Sequence, residues 1–152
     1  MNYKLNYHKV HNIIFVCKYN AFRSRVAEEY FHKLNKNPSI KAISRGLIMG
    51  GSSDRIQRAI AKRMLGIDIA KRGPKPLELP MLKKANLIVV VANDVPEVVF
   101  DYWKQPLMEK VIIWRVTDEQ MMKPKNIERI IRKIKVKVES LVRRLDRQPT
   151  TK

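Results

Sequence analysis

The chain has 152 residues, 45% of them apolar, and carries 32 Lys and Arg against 14 Asp and Glu. This length predicts a single domain over residues 1–152 with frayed ends at 1–10 and 148–152. No apolar run is long enough to span a membrane, and the N-terminus lacks the apolar core of a signal peptide. The formal net charge of +18 predicts anionic partners, with phosphorylated molecules, nucleic acid, acidic proteins and anionic lipid all left open.

The chain contains one cysteine, Cys17, so it cannot form an internal disulfide. A lone thiol suits a reducing compartment, and we therefore expect a cytoplasmic protein. His8, His11 and His32 are scattered without the spacing of metal ligands, so we expect neither a metal nor another cofactor.

The first half of the chain alternates strand and helix patterns. The continuous apolar run Ile13–Cys17 predicts a strand covered on both faces. Apolar residues at helical spacing from Val26 to Leu34 predict a helix, and Ile40–Ser44 predicts a second, weaker strand. Asp54, followed three residues later by Gln57, predicts a capping box at the start of the next helix.

The second half continues the alternation. That helix is predicted to end at Gly66, and three prolines mark Arg72–Pro80 as a surface connection. Leu87–Val91 and Val111–Trp114 are predicted strands, separated by a predicted helix over Asp94–Tyr102. A long amphipathic helix is predicted from Pro124 onward. Trp103 and Trp114 are expected to be core or interface residues. The alternation predicts a three-layer α/β/α fold with a parallel sheet, in which ligands bind at the carboxyl ends of the strands.

Chemistry is expected in the loop after the first strand, where the residues Cys17 to Ser24 form a C-x5-R-S pattern. Backbone N–H groups in a tight loop and a following helix N-terminus together bind phosphate oxygens. Arg23 can donate two hydrogen bonds to a phosphate in a bidentate arrangement. The same positive field favours a thiolate nucleophile at Cys17. Ser24 is placed to donate to that sulfur, and Asn20 suits a left-handed turn. The competing interpretation is a buried core thiol, because the bare spacing also arises by chance in an Arg-rich chain.

The residues Phe15–Ser24, followed by Val26-Ala27-Glu28, resemble the signature of low-molecular-weight protein tyrosine phosphatases and the related arsenate reductases. Ser44-Arg45-Gly46 and Leu65–Asp68 resemble two further segments of that family. The resemblance implies a four-stranded parallel sheet of order 2-1-3-4, with the phosphate loop after strand 1. It also implies that Cys17 carries a phosphocysteine intermediate, that Arg23 stabilises the phosphoryl oxygens, and that Asp118 is the general acid.

The sequence departs from the family pattern at three places. Tyr19 stands where the family usually has Gly, and Phe22 stands where its phosphatases often have a second cysteine. After Asp118 the chain continues with Glu119-Gln120-Met121 instead of Pro and aromatic residues.

Several residues of the loop are expected to contact substrate. These are Lys18, Tyr19, Asn20, Ala21, Phe22 and Ser24. The side chains expected to form the pocket walls are Tyr19, Ala21, Phe22, Leu47 and Met49, with Lys18 at the rim. We therefore predict a hydrolase of phosphorylated proteins or small phosphomonoesters, without assuming phosphotyrosine specificity.

Three alternatives remain open at this stage. One is an arsenate reductase, which would need an external thiol because the chain has no second cysteine. Another is a non-catalytic module of the same fold that binds phosphate or nucleic acid. Weak electrostatic binding of nucleic acid is also open for the C-terminal helix, although a solvated outer face is the favoured interpretation. The cations of that helix are Lys125, Arg129, Arg132, Lys133, Lys135, Lys137, Arg143 and Arg144.

Overall fold

Four parallel strands form one sheet in the order β2-β1-β3-β4, as predicted. The computed structural model describes residues 5–101, 107–119 and 121–147. The strands are β1 (Asn12–Cys17), β2 (Lys41–Gly46), β3 (Leu87–Val91) and β4 (Val111–Trp114).

The register of the sheet brings the strand ends together at one edge. Cys17 at the end of β1 pairs with Gly46 at the end of β2, and Val91 at the end of β3 pairs with Trp114. In a parallel sheet this edge carries the loops that bind ligands. The loop that follows Cys17 lies there.

Helices cover both faces of the sheet. The helices are α1 (Arg23–Leu34), α2 (Arg55–Leu65), α3 (Leu79–Lys84), α4 (Val98–Asp101) and α5 (Pro124–Asp146). Alternate residues of a strand point to opposite faces, so β1 sends Phe15 into the core beneath α1, α2 and α5. Its neighbours Ile14 and Val16 enter a second core with residues of α3 and α4.

Several helix boundaries follow from local sequence chemistry. Asp54 and Gln57 form the predicted capping box, and Gly66 ends α2 with φ +66°. Pro124 occupies the first turn of α5. The buried face of α5 is the predicted apolar stripe, which includes Ile127, Ile131, Ile134, Val138 and Leu141.

Other segments differ from the sequence prediction. Only Val98–Asp101 of the predicted helix over Asp94–Tyr102 is helical. Pro96 disfavours helical backbone at the residue before it, and Asp94 is held in an ion pair instead. Tyr102 lies outside the described residues. Helix α3 was not predicted, and it begins inside the segment expected to be a surface connection.

The chain ends and the two tryptophans were also subjects of sequence predictions. The segment 1–10 was predicted to fray, but Tyr7–Lys9 form a short 3-10 helix and Val10 is buried. Residues 1–4, Trp103 and the predicted frayed end 148–152 lie outside the described residues. Trp114 is in the core, with its ring centre 5.9 Å from that of Phe15. None of the helices in the described ranges has the length and apolar character needed to cross a bilayer.

Candidate active site

The loop between β1 and α1 wraps back over the end of β2. Asn20 adopts φ +58°, the left-handed turn that its residue type predicts. The loop after β2 is tied to it, because Leu47 N donates to Cys17 O and Ile48 N donates to Lys18 O, both at 3.0 Å. The two loops therefore form one hydrogen-bonded unit at the carboxyl edge of the sheet.

The sulfur of Cys17 has two polar neighbours. Its Sγ lies 2.9 Å from Ser24 Oγ, and the backbone N–H of Asn20 donates to it at 3.3 Å. Ser24 Oγ also accepts a hydrogen bond from Asn20 Nδ2 at 2.8 Å, which leaves the serine hydroxyl hydrogen available for the sulfur. Both neighbours can therefore donate hydrogen bonds to the sulfur.

The side-chain amide of Asn20 connects the loop to three other segments. Its Nδ2 donates to Ser24 Oγ and to Ser44 Oγ, at 2.8 and 2.9 Å. Its Oδ1 accepts from Lys75 N at 3.0 Å and from Arg72 Nη1 at 3.3 Å. Both amide hydrogens and both acceptor positions are thus used, and the side chain is fully buried. The buried side chain of Asn20 therefore fixes the shape of the loop through these hydrogen bonds.

Arg72 reinforces this support. Its Nη2 donates to the backbone oxygen of Ser44 at 2.7 Å and forms an ion pair with Glu28 at 3.2 Å. Burial lowers the pKa of the Arg72 guanidinium, and the nearby Glu29 carboxylate partly opposes this shift. None of these contacts of Arg72 was predicted from the sequence.

Arg23 begins α1 and is held by groups from the loops after β3 and β4. Its Nη1 lies 3.0 Å from Asp94 Oδ1 and donates to Val116 O at 2.9 Å. Its Nη2 donates to Asp94 Oδ2 at 3.3 Å and lies 3.6 Å from Asp118 Oδ2. The guanidinium is 2% exposed, so these partners define its position.

Asp94 is a site residue that was not predicted from the sequence, in which it is expected to begin a helix. Its position in the chain could have indicated that it belongs to the site. It follows β3 by three residues and so belongs to the same edge of the sheet as Cys17.

Cys17, Arg23 and Asp118 all line one cavity of about 600 Å³. Its other walls come from the loop after β1, the start of α2 with the loop before it, and the segment that leads into α5. These residues are Tyr19, Ala21, Phe22, Gly50, Gly51, Ser52, Ser53, Asp54, Arg55, Gln57, Arg58, Glu119 and Met122. The cavity therefore places a sulfur, a guanidinium and a carboxylate around the same space.

The predicted substrate-contacting residues divide into two groups. Tyr19, Ala21 and Phe22 line the cavity. Asn20 and Ser24 are completely buried and support the loop from inside. Lys18 lies outside the lining, with its Nζ 5.2 Å from the centre of the Tyr19 ring.

Two expected wall residues lie elsewhere. Leu47 packs against the second core, and Met49 is 69% exposed, so neither lines the cavity. The small residues Gly50 to Ser53 form that wall instead.

A family model described as low molecular weight phosphotyrosine protein phosphatase matches residues 12–150. The chain belongs to this family. It is therefore a cysteine-dependent phosphatase, and Cys17 is its only cysteine. Comparison of this phosphatase with curated protein sequences finds no match.

Solved structures of several phosphatases share the fold. A low molecular weight protein tyrosine phosphatase from T. tengcongensis is 21% identical, with a TM-score of 0.77 over 88% of this chain and 98% of its own. The YwlE arginine phosphatase from Geobacillus stearothermophilus is 16% identical, with a TM-score of 0.77 over 90% and 93%. The tyrosine phosphatase Wzb from Escherichia coli K30, in complex with sulphate, is 14% identical, with a TM-score of 0.73 over 90% and 99%.

Proposed function

We propose that this phosphatase hydrolyses phosphomonoesters through a covalent phosphocysteine on Cys17. Arg23 and the loop N–H groups bind the phosphoryl oxygens, and Asp118 acts as general acid and then general base. The observation that carries the proposal is the presence of Cys17, Arg23 and Asp118 around one cavity.

The first step transfers the phosphoryl group to sulfur. The Cys17 thiolate attacks phosphorus, so an S–P bond forms while the bond from phosphorus to the ester oxygen breaks. Asp118 gives its proton to the departing oxygen, which avoids the release of an alkoxide or phenoxide. Arg23 and the backbone amides stabilise charge on the equatorial oxygens.

The second step releases phosphate. Asp118, now a carboxylate, takes a proton from a water molecule that attacks phosphorus, and the S–P bond breaks to restore the Cys17 thiolate. The Ser24 hydroxyl, 2.9 Å from the sulfur, stabilises the leaving thiolate. One structural neighbour is a YwlE arginine phosphatase mutant with a phosphorylated active-site serine, which supports carrying a covalent intermediate over to this chain.

Hydrolysis of a generic aryl phosphate at about pH 5 to 7 tests the proposal, because this range brackets a thiolate paired with a protonated carboxylic acid. We expect turnover by the wild type, none by Cys17→Ser, and a loss of about 100-fold in kcat for Asp118→Asn. Asp146→Asn is a matched control, since this exposed aspartate lies at the end of α5. Mass spectrometry of rapidly quenched wild-type enzyme is expected to find one phosphoryl group on Cys17.

Either of two results would exclude this function. Full activity of Cys17→Ser would show that Cys17 is not the nucleophile. An inert wild type that still binds phosphate or vanadate would instead assign the loop to recognition without turnover.

We also propose a cytoplasmic location, because the unpaired thiol of Cys17 must stay reduced to act as the nucleophile.

A second proposal is weak electrostatic binding of nucleic acid along α5. This helix has 23 residues, and Arg129, Arg132, Lys137 and Arg143 are exposed on it. Cations along a helix of about 34 Å match the repeated charges of a phosphate backbone. Fluorescence anisotropy with labelled duplex DNA is expected to detect binding that weakens steeply with salt and is reduced in Arg129→Ser/Arg132→Ser. Absence of binding at low salt would leave the cations as a solvated surface.

A further inference from the structure

The start of α2 brings two arginines to the wall of the cavity that contains Cys17. Arg55 and Arg58 both line this cavity. They are three residues apart in α2, so their side chains lie on the same side of the helix, with Cβ atoms about 5 to 6 Å apart. Two guanidinium groups therefore border the space that the leaving group of a substrate would enter.

Neither arginine has a carboxylate partner among the described residues. Arg58 is half-buried, and its Nη1 donates to the backbone oxygen of Ser53 at 2.5 Å, which leaves its remaining N–H groups available. Arg55 is exposed and makes no hydrogen bond or ion pair within the described part of the chain. Arg23, the third arginine on the cavity, is by contrast already bound to Asp94.

Three carboxylates also line the cavity, and each already accepts a backbone hydrogen bond. Asp54 accepts from Ile56 N at 2.7 Å. Asp118 accepts from Glu119 N at 2.9 Å, and Glu119 accepts from Met121 N at 2.8 Å. These carboxylates repel a dianion about twice as strongly as a monoanion. A second anionic group on a substrate is therefore better tolerated as a carboxylate than as a second phosphate.

We propose that Arg55 and Arg58 form a carboxylate-binding subsite, and that the preferred substrates are phosphate monoesters whose leaving group carries a carboxylate. This inference rests on the proposed phosphatase function. A guanidinium group suits this role because it can donate two parallel hydrogen bonds to a carboxylate. Like charges three residues apart on a helix repel each other, so a bound carboxylate also relieves that repulsion. The formal net charge of +18 adds to the attraction of a substrate with two anionic groups.

The test compares two esters of similar shape that differ by one charge, meta-carboxyphenyl phosphate and meta-carbamoylphenyl phosphate. The measured quantity is the ratio of their kcat/KM values, in which effects on the shared phosphate cancel. Arg55→Gln and Arg58→Gln are each expected to lower this ratio by about 2- to 5-fold, and the double variant by about 10-fold, as for solvent-accessible ion pairs. Raising the ionic strength from about 0.05 to 0.5 M is expected to lower the wild-type ratio toward that of the double variant, because salt screens the charges.

Lys62→Gln is the matched control. Lys62 is an exposed cation of the same helix and does not line the cavity, so its replacement removes one positive charge without touching the subsite. It is expected to leave the ratio of the two kcat/KM values unchanged. A wild-type ratio in the double variant, or an equal fall of the ratio in Lys62→Gln, would overturn the inference.

A binding measurement separates this inference from the proposed function. Calorimetry on Cys17→Ser protein compares meta-(phosphonomethyl)benzoate with meta-(phosphonomethyl)benzamide, which need no turnover. Tighter binding of the benzoate that is lost in Cys17→Ser/Arg55→Gln/Arg58→Gln supports the subsite even if wild type hydrolyses neither ester. Equal affinities for the two phosphonates would exclude the subsite even if both esters are hydrolysed rapidly.

Discussion

The guanidinium of Arg23 forms a two-point contact with the carboxylate of Asp94, at 3.0 and 3.3 Å. Arg23 lies at the start of α1 and Asp94 after β3, so the pair joins neighbouring strands of the sheet at their carboxyl ends. Because Arg23 is almost fully buried, its direction depends on this carboxylate and on the backbone oxygen of Val116. In the proposed mechanism Asp94 is therefore a positioning residue for Arg23.

Asp94→Asn keeps the shape of the side chain but removes the charge that orients Arg23. We expect kcat/KM for an aryl phosphate to fall about 10-fold, which corresponds to about 1.4 kcal/mol of lost transition-state stabilisation. Steady-state kinetics is the measurement. Glu97→Gln is the control, because Glu97 forms an exposed ion pair with Arg115. Equal kinetics for Asp94→Asn and wild type would show that Val116 and the loop alone position the guanidinium.

Ser24→Ala removes the hydroxyl that lies 2.9 Å from the sulfur of Cys17. Hydrogen bonds to charged groups contribute about 1.5 to 3 kcal/mol, so we expect alkylation of Cys17 by iodoacetamide at about pH 6 to slow roughly 10-fold or more. Mass spectrometry of the alkylated protein gives the rate. Ser39→Ala is the control, since Ser39 bonds only locally to Asn37. An unchanged alkylation rate would contradict donation from Ser24 to the sulfur.

Asn20→Gly preserves the left-handed backbone at this position and removes all four side-chain hydrogen bonds. Because the partners Ser24, Ser44 and Arg72 lose a buried contact, we expect the free energy of unfolding to fall by about 2 to 4 kcal/mol. Urea denaturation followed by circular dichroism measures it. Activity is expected to fall further than stability alone explains, so kinetics are compared under conditions in which the variant is fully folded. A loss of less than about 0.5 kcal/mol would mean that the amide network contributes little.

Gly46→Ala tests the close approach of β2 to the loop after β1. A Cβ at this position would lie 2.7 Å from the carbonyl carbon of Tyr19 and 2.9 Å from the nitrogen of Asn20, both backbone atoms. The loop must shift to relieve this contact, and we expect kcat/KM to fall by about 100-fold, since small displacements of catalytic groups cost that much. Gly73→Ala is the control variant, because no atom lies within 4 Å of a Cβ added at Gly73. Wild-type activity in Gly46→Ala would show that the loop tolerates displacement.

The alternation of strands and helices and the position of the loop after β1 could be predicted from the sequence, because both follow from local patterns. The apolar run before Cys17, the left-handed preference of Asn20 and the helical spacing after Val26 are each encoded within a few residues. The family resemblance then supplied the strand order and drew attention to Asp118, which the structure places on the cavity with Cys17.

The contacts that were missed join residues far apart in the chain. Asp94 lies 71 residues from its partner Arg23, and Arg72 lies 52 residues from Asn20. No periodic pattern marks such pairs. Leu47 and Met49 were wrongly expected to line the cavity, because the path of an irregular loop is not set by the alternation that locates strands.

The bonds of Asn20 also have a consequence for the order of folding. Its amide oxygen accepts from the backbone of Lys75, a contact that spans 55 residues. Closing so long a segment costs more conformational entropy than pairing β1 with β2, where Asn12 pairs with Lys41, so we expect the contact to Lys75 to form after that pairing. In a refolding experiment we expect the loop after β1 to acquire its final shape only once residues 72–75 have docked on it. We therefore expect recovery of the active site to lag behind the pairing of β1 with β2.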